Sequence, residues 1–378
     1  MLKKIIFLLM LFAIAFEASA THLLGGIMTY KYLGRTGPGQ TKAIYLITIT
    51  VYRDCLNGQA DFDDPLKLGI YDQNQNLLAP FINVDLAQRT KVNPPNGGVN
   101  CNFSANVCIE EGIYYKQVVL DVNQEWHIWY QRCCRNAQIN LSDDYGQSYY
   151  CKIPAASQYQ DNSPVINGVP APYLCVGDTV TYSNAATDAD GDSLVYSLQQ
   201  PWTGADKISP APDPPSYIPI PLPLSQYKPG YSFASPFGAG GILTINSQTG
   251  LTTLRVPTVG QFSFAVVVKQ YRKINGVWVY LSEIRRDLQL IAINCTPNKK
   301  PLVNVTGVPD GNGGYSYTVE AGEKLCFNIG YSDPDFTANT PQRLMKLTAF
   351  GDILNGTNGY FGPLATLTKT MSTPSAIA

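Results

Sequence analysis

Apolar and polar residues alternate one by one through several stretches of this chain, and this period of two most constrains its fold. The alternation is clearest at 44–53, where β-branched and aromatic residues dominate, a pattern typical of a half-buried β-strand. Residues 66–71, 114–122 and 127–132 repeat it. Amphipathic helical periodicity is absent from the sequence. We therefore predict an all-β protein.

Turn-forming residues are abundant. The chain has 32 glycines, 27 prolines and 24 tyrosines, and only 15% of its residues are charged. Repeated prolines at 201–229 predict a long exposed connection, because proline has no N–H to give to a sheet. An edge that docks a partner as polyproline II is the alternative. The pair Asn275-Gly276 predicts a tight hairpin between strands at 262–271 and 277–285.

The first twenty residues have the pattern of a secretory signal peptide. Lys3 and Lys4 precede an apolar run at 5–16, and Ala18-Ser19-Ala20 is a small-residue cleavage site. The apolar run is too short for a membrane span, and the sequence has no other candidate. We expect a secreted or cell-surface protein whose mature chain begins at Thr21.

The charge balance argues against nucleic acid as a partner. Without the predicted leader the basic residues fall from 27 to 25 and the acidic residues from 28 to 27, a net charge near −2. Neither a basic patch nor a run of like charges stands out, so the electrostatic footprint of a nucleic-acid-binding protein is missing.

Nine cysteines in an oxidising compartment predict disulfides. Six of them lie before residue 152 and allow fifteen connectivities. Neighbouring Cys133 and Cys134 should have different partners, because adjacent strand residues point to opposite faces. Cys326 is left over. The residues predicted to form disulfides are Cys55, Cys101, Cys108, Cys133, Cys134, Cys151, Cys175 and Cys295, with Cys175 and Cys295 tying together the ends of one domain.

The pattern of strands, prolines and cysteines divides the chain into four parts. We predict a signal peptide at 1–20, a disulfide-rich β domain at 21–160, a β-sandwich at 161–297 and the start of a further, truncated β-sandwich module at 298–378.

An acidic turn is the candidate metal site. Asp188, Asp190 and Asp192 alternate around Gly191, directly before an alternating strand at 194–198. Crowded carboxylate oxygens suit Ca²⁺, which takes six to eight oxygen ligands. The alternative is a solvated turn in which the Asp side chains bond their own backbone.

Part of this pattern recurs later in the chain. Gly177 precedes Asp188 by eleven residues (188 − 177 = 11), and Gly322 precedes Asp333 by the same number (333 − 322 = 11). The recurrence favours tandem copies of one module, with Asp333 and Asp335 as further Ca²⁺ ligands. A chance coincidence of a strand and a turn is the alternative. The second copy lacks the Gly191-Asp192 continuation.

Several motifs together resemble the N-terminal part of gliding-motility-associated, adhesin-like secreted surface proteins of Bacteroidota. They are THLLGG at 21–26, VYRDCLNG at 51–58, YQRCCRN at 130–136, DADGDSLVYSL at 188–198 and RRD at 285–287. The middle domain, with its later element TGLT at 249–252, is similar to cadherin-like and immunoglobulin-like modules. The resemblance implies tandem immunoglobulin-like or cadherin-like β-sandwiches, type IX secretion and attachment to the cell surface. Since that route uses a C-terminal sorting domain and none precedes Ala378, we expect either a fragment or a different route.

Signals for catalysis are poor in the sequence. His22 and His127 are the two histidines, and a zinc site with thiol ligands does not suit oxidised cysteines. His22, second in the predicted mature chain, leaves a copper site open. Carboxylate pairs at 63–64 and 143–144 would serve glycoside hydrolysis only if they faced each other across a cleft. We expect no enzyme.

Aromatic residues leave two functions open. Tyr114, Tyr115, Trp126, Trp129 and Tyr130 would form either a sugar-stacking platform or the core of a sandwich. The leading prediction is a non-catalytic adhesin or stalk with Ca²⁺-stiffened modules, whose partners are surface glycans or other cell-surface proteins. The alternative is a carbohydrate-binding accessory module of a secreted polysaccharide-degrading system.

Overall fold

The computed structural model describes most of the chain from Leu23 to Ser332. The described residues are 23–56, 60–79, 82–92, 101–102, 108–133, 135, 137–142, 146–166, 168, 173–216, 223–297, 302–305, 307–309, 315–318, 320, 323 and 329–332. The predicted signal peptide, His22, Cys134, Cys326, Asp333 and Asp335 lie outside them.

The chain forms two compact units, Met1–Thr296 and Pro297–Ala378. The strands of the first unit are β1 (Leu23–Thr36), β2 (Lys42–Asp54), β3 (Leu66–Asp72), β4 (Ile82–Val84), β5 (Leu86–Val92), β6 (Cys101–Asn102), β7 (Ile109–Asp121), β8 (Trp126–Arg132), β9 (Gln147–Ile153), β10 (Val165–Ile166), β11 (Tyr173–Cys175), β12 (Thr179–Ser183), β13 (Ala186–Thr187), β14 (Ser193–Gln199), β15 (Ile242–Ile245), β16 (Leu251–Arg255), β17 (Gly260–Ile274) and β18 (Val277–Ile293). A short strand, β19 (Thr296–Pro297), lies at the division. Among the described residues the helical structure is limited to a 3-10 turn at Pro38–Gln40.

One large sheet organises the first unit. Its strands lie in the order β4-β3-β8-β9-β18-β1-β2-β7-β5, while β17 pairs with β18 and β14 pairs with β17. Every pairing is antiparallel except that of β11 with β18. The prediction of an all-β protein is confirmed.

Strand β18 joins the two predicted domains. One of its edges pairs with β17 along almost its whole length, as at Phe264 and Leu288. The other edge meets β9 at Ile284, β1 at Asp287 and Leu288, and then β11. Residues on both sides of the predicted boundary at 160 therefore share one sheet and one compact unit, whereas the predicted boundary at 297 lies beside the division between units.

Gly25 allows β1 to approach β18 closely. Its φ of +137° is one that glycine tolerates and other residues rarely adopt. A Cβ atom at this position would collide with the carbonyl oxygen of Asp287. The glycine of the THLLGG motif thus permits the pairing of the first strand with the last strand of the sheet.

Two apolar cores support the sheet. The first joins β1, β2 and β7 to β3, β8 and β9 through Met28, Ile47, Tyr114, Ile128 and Tyr149, all fully or almost fully buried. Since these strands belong to the two halves of the large sheet, the sheet curls so that its halves share a core.

The second core lies between two layers. A three-stranded sheet in the order β12-β16-β15 supplies Val180 and Leu254. Strands β17 and β18 supply Phe262, Phe264 and Leu288 from the facing layer. This sheet-on-sheet packing is that of a sandwich.

The hairpin between β17 and β18 turns at the predicted residues. Asn275 and Gly276 have φ values of 50° and 84°, and positive φ at both central residues defines the type I′ turn that suits a twisted hairpin. The predicted strand at 277–285 is the first part of β18, which continues to Ile293.

The proline-rich connection is not exposed throughout, which corrects the prediction for it. Trp202 is 7% exposed and its ring centroid lies 5.6 Å from that of Tyr150. The Pro215 carbonyl accepts a hydrogen bond from the Tyr71 hydroxyl at 2.7 Å. The prolines interrupt strand pairing as expected, but the tryptophan between them covers apolar surface of the first domain. The segment at 217–222 lies outside the described residues.

Two disulfides of the predicted set are present. Cys55 bonds Cys108, and Cys175 bonds Cys295 across 120 residues. Cys133 is also disulfide-bonded. Cys151 corrects the prediction, because it is a free thiol. It belongs to the first apolar core, where its side chain fills space between strands, and burial raises the pKa of the thiol.

In the second unit the strands are β20 (Leu302–Val305), β21 (Val308–Pro309), β22 (Tyr315–Ser316) and β23 (Ile329–Ser332). β20 pairs with β23, and β21 pairs with β22. Among the described residues of the whole chain, none forms a helix with the length and hydrophobicity that a membrane crossing requires.

Candidate functional site

The acidic turn lies between β13 and β14, as the sequence predicts. Gly191 has a φ of 76°, which lets the chain reverse tightly. The Asp188 carboxylate accepts the backbone N–H groups of Asp190 at 2.9 Å and of Asp192 at 3.0 Å through one oxygen. Asp188 therefore shapes the turn through its own backbone, which is the behaviour of the solvated-turn alternative.

Asp190 and Asp192 meet a third carboxylate that the sequence did not identify. Asp161, in the segment that joins the two predicted domains, is fully buried. Ligand-type oxygen atoms of these three residues lie within 4.8 Å of one another. The turn thus places two of its three predicted carboxylates, those of Asp190 and Asp192, beside the segment that joins the two predicted domains.

Arg272 lies among these carboxylates. Its Nε and Nη2 atoms donate to the two oxygens of Asp192 at 2.7 and 2.6 Å, a bidentate pair. The same Nη2 donates to Asp161 at 2.9 Å and to Asp190 at 3.2 Å. We call Arg272, Asp161, Asp190 and Asp192 the Arg272 cluster.

Neutral side chains complete the hydrogen bonding around Asp161. Gln270 donates to Asp161 at 2.8 Å and to Asp192 at 2.6 Å. Tyr30 donates its hydroxyl to the other oxygen of Asp161 at 2.5 Å. The buried carboxylate is therefore satisfied on both oxygens, as burial of a polar group requires.

The elements that place these residues come from both predicted domains. Tyr30 lies on β1, whereas Gln270 and Arg272 lie two apart on β17 and so share a face. Asn162, in the connecting segment, bonds to both sides. Its backbone N–H donates to Asp190 at 2.7 Å, and its side-chain oxygen accepts the backbone N–H of Tyr32 at 2.8 Å. The cluster therefore fastens the connecting segment to the acidic turn on one side and to β1 on the other.

Burial dominates the electrostatics. Desolvation raises the pKa of Asp161 to about 7, opposed by the hydrogen bond from Tyr30 and the charge of Arg272. The hydrogen bond to Asp192 is the main cause that raises the pKa of Arg272, so the guanidinium stays charged. Burial also raises the pKa of Asp188.

Asp161, Asp190 and Asp192 are the residues that could hold a cation, and their arrangement fits a guanidinium. Calcium needs six to eight oxygens at 2.3–2.6 Å, whereas the lone pairs that face inward here accept N–H bonds from Arg272 and Gln270. A calcium ion at these carboxylates would face a fixed positive charge, so it would require Arg272 to leave. The further predicted ligands Asp333 and Asp335 lie outside the described residues.

Asp161, Gln270 and Arg272 are the site residues that the sequence did not reveal. Arg272 is 80 residues from Asp192 and 111 from Asp161, so only the fold brings them together. One signal was present: Gln270 and Arg272 are polar at alternate positions of a strand whose residues 264–268 are apolar.

The aromatic residues proposed as a sugar platform are mostly core residues. Tyr114, Trp126, Trp129 and Tyr130 are at most 5% exposed, whereas Tyr115 is 46% exposed. The four buried rings fill the interior, which is the second of the two predicted roles.

The candidate acid pair at 63–64 is engaged in structural contacts. Asp63 accepts the hydroxyl of Tyr130 at 2.8 Å and pairs with Arg132 at 3.1 Å. Asp64 accepts the backbone N–H of Leu86 at 3.0 Å. The pair at 143–144 lies outside the described residues.

His127 bonds the hydroxyl of Tyr150 at 2.8 Å, and burial lowers the pKa of its imidazole.

The Arg272 cluster is thus a fully paired ionic joint. One guanidinium is shared among three carboxylates, and the hydrogen bonds of the cluster hold three chain segments in one geometry. Such an arrangement fixes the relative orientation of these segments. No family model, curated protein or solved structure matches the chain.

Proposed function

We propose that this chain is a non-catalytic extracellular or cell-surface protein that acts as an adhesin or stalk, of the gliding-associated kind that its motifs resemble. The observation that carries the proposal is the Arg272 cluster. It fastens the segment between the two predicted domains to both of them, so that they form one stiff body. Stiffness suits a protein that holds a binding surface away from a cell.

Two further observations support an extracellular location. The leader at 1–20 has the charge and apolar pattern of a secretory signal. The disulfides Cys55–Cys108 and Cys175–Cys295 suit an oxidising compartment. Both are independent of the resemblance.

Localisation and attachment test the proposal together. Antibody labelling of intact cells that express the gene should detect the protein at the surface, and brief external proteolysis should remove it. Deletion of the gene should reduce attachment to solid surfaces while growth in suspension is unchanged. Retention of the protein inside the cell, or unchanged attachment after deletion, would refute the proposal.

Calcium is a separate proposal from the acidic turn, and calorimetric titration of the mature chain tests it. Binding at millimolar Ca²⁺ that is lost on Asp190→Ala would support it. Because Arg272 already pairs with these carboxylates, we expect calcium to raise the melting temperature of Arg272→Gln more than that of the unaltered chain. An equal rise in both proteins would place calcium elsewhere.

A further inference from the structure

Trp278 is unlike the other tryptophans of the chain. The sequence has four, and Trp126, Trp129 and Trp202 are at most 7% exposed. Trp278, next to the tip of the β17–β18 hairpin, is 56% exposed, and neighbouring Val277 is 66% exposed. Burying such a ring would be favourable, so its exposure needs another explanation.

The residues around Trp278 share one face of the hairpin. Lys273 pairs with Trp278, and Tyr271 pairs with Tyr280; directly opposed residues of antiparallel strands project to the same side. The rings of Tyr271 and Tyr280 lie 5.8 Å apart between centroids. Two successive cross-strand pairs thus form an aromatic row about two residues long. We call Tyr271, Lys273, Trp278 and Tyr280 the hairpin face.

Lysines surround these rings. Lys273 Nζ lies 5.8 Å from the centroid of Trp278, and Lys269 Nζ lies 6.0 Å from that of Tyr280, both within range of a cation–π contact. Lys152 Nζ lies 5.7 Å from Tyr280 and also pairs with Glu125 at 2.8 Å. Among the described residues, neither Lys269 nor Lys273 has a carboxylate within ion-pair distance.

Acidic groups beside the hairpin face are fewer than the lysines. Glu283 lies opposite Lys269 in the register and accepts the hydroxyl of Tyr280 at 3.3 Å. Glu125 is held by Lys152. Two ammonium groups therefore remain available beside two exposed rings, a combination that complements a flat ligand with negative charge at its rim.

The opposite face of the same hairpin is fixed. Gln270 and Arg272 alternate with Tyr271 and Lys273 along β17. Gln270 is held by its hydrogen bond to Asp161, and Arg272 by its hydrogen bond to Asp192. The strand that carries the exposed aromatic row is thereby anchored before any ligand arrives. A preorganised surface loses less conformational entropy when it binds.

We propose that the hairpin face binds an acidic polysaccharide, one built from uronic acid units. The apolar face of a pyranose ring would stack on Trp278 and Tyr280, and the sugar carboxylates would pair with Lys273 and Lys269. A protein partner is disfavoured because the exposed rings form a short narrow row, not a broad apolar patch. The inference rests on the proposed surface role and deepens it by naming the ligand class.

Binding of polygalacturonate, measured by calorimetry with a chelator present, tests the inference on the mature chain. Two probes separate the contributions: a neutral galactan supplies sugar rings without charge, and polyglutamate supplies charge without sugar rings. We expect polygalacturonate to bind more tightly than either, with an affinity that falls as salt concentration rises. Equal binding of polyglutamate, or no binding of polygalacturonate, would overturn the inference.

Variants locate the binding on the hairpin. Trp278→Ala should weaken polygalacturonate binding about tenfold, the scale of one good aromatic contact, and Lys273→Gln should weaken it and reduce its salt dependence. The matched control is Tyr115→Ala, an exposed aromatic residue on β7, which should leave binding unchanged. Equal effects of Trp278→Ala and Tyr115→Ala would overturn the inference.

A second copy of the chain is the other occupant that the hairpin face could take, and sedimentation of the same proteins tests for it. Self-association that Trp278→Ala abolishes, without any loss of polygalacturonate affinity, would assign the hairpin face to a dimer and overturn the glycan proposal. The labelling of intact cells described above does not depend on Trp278, so failure of the glycan proposal is distinguishable from failure of the surface role.

Discussion

At the scale of single residues, Arg272 decides what the acidic turn can do. Its side chain is 24% exposed, while those of its partners Asp161 and Asp192 are 0% and 3% exposed. Carboxylates at that depth need a permanent positive partner. A guanidinium provides charge and direction together, since its planar N–H groups reach both oxygens of Asp192 at once.

Replacing Arg272 with glutamine should destabilise the first unit by about 3 kcal/mol, because removal of one partner leaves buried carboxylates without compensation. Urea unfolding followed by tryptophan fluorescence measures the loss. Arg255→Gln is the matched control, since that guanidinium donates only to the Gly240 carbonyl in an exposed position. Similar losses in both variants would contradict an ionic joint at Arg272.

The buried carboxyl of Asp161 should make stability depend on pH. Its pKa is raised from 3.8 to about 7 by burial, so the folded state holds the proton more tightly than the unfolded state. The stabilisation that protonated Asp161 gives the folded state is fully present below about pH 4 and is lost as the pH rises toward 7. The free energy of unfolding falls by on the order of 1.4 kcal/mol per pH unit over that range.

Asp161→Asn should remove that part of the pH dependence, which melting temperatures measured from pH 4 to 8 would reveal. Asp121→Asn is the control, because the stabilisation by Asp121 has the opposite dependence on pH. The backbone N–H of Asn123 is the main cause that lowers the pKa of Asp121, so its stabilisation is lost as the pH falls. Parallel pH profiles for the unaltered chain and Asp161→Asn would show that Asp161 does not carry the effect.

The sequence predicted the turn but only part of its ionic site. Asp190 and Asp192 are recognisable because they lie together before a strand. Arg272 is not, because the pairing of β14 with β17 brings it to the turn, and Asp161 is not, because contacts with Tyr30 and Gln270 place it there. Strand alternation predicts which residues share a face, yet it leaves open which strands become neighbours.

At the scale of secondary structure elements, the contact between β1 and β18 depends on one glycine. Gly25→Ala should destabilise the first unit by about 2 kcal/mol or more, since a methyl group would meet the Asp287 carbonyl at a φ that alanine rarely adopts.

Gly34 offers the matched control for Gly25. It also lies on β1 and has a φ of +133°, but the space around its Cβ position is open. Gly34→Ala therefore carries the backbone strain without the collision. Thermal unfolding of both variants should show the larger loss for Gly25→Ala, and equal losses would mean that the collision relaxes at little cost.

Strand prediction succeeded where alternation was strict. The strands predicted at 44–53, 66–71 and 194–198 are present as β2, β3 and β14. Strand β18 continues to Ile293, beyond the predicted end at 285, and Arg285 and Arg286 remain buried in the sheet. Arg286 donates to the Gly168 carbonyl at 2.8 Å, and the guanidinium of Arg285 lies 3.8 Å from the Trp202 ring centroid. Partners distant in sequence allow the strand to continue through these charged residues.

At the scale of the whole molecule, Cys175–Cys295 closes a longer loop than Cys55–Cys108 does. The bridges span 120 and 53 residues, and loop-closure entropy gives about 5 and about 4 kcal/mol of stabilisation. Replacing both Cys175 and Cys295 with serine should therefore lower the melting temperature more than the corresponding change at Cys55 and Cys108. The opposite order would indicate that strain or residual structure outweighs loop length.

The pairing of β1 with β18 also sets an order of events during synthesis. The first strand of the sheet leaves the ribosome well before its partner, and that edge cannot close until Asp287 and Leu288 have been made. Until then β1 and β9 expose edges that are prone to pair with other chains. The export that we propose would benefit from such a delay, because the chain cannot complete its sheet while it is still short.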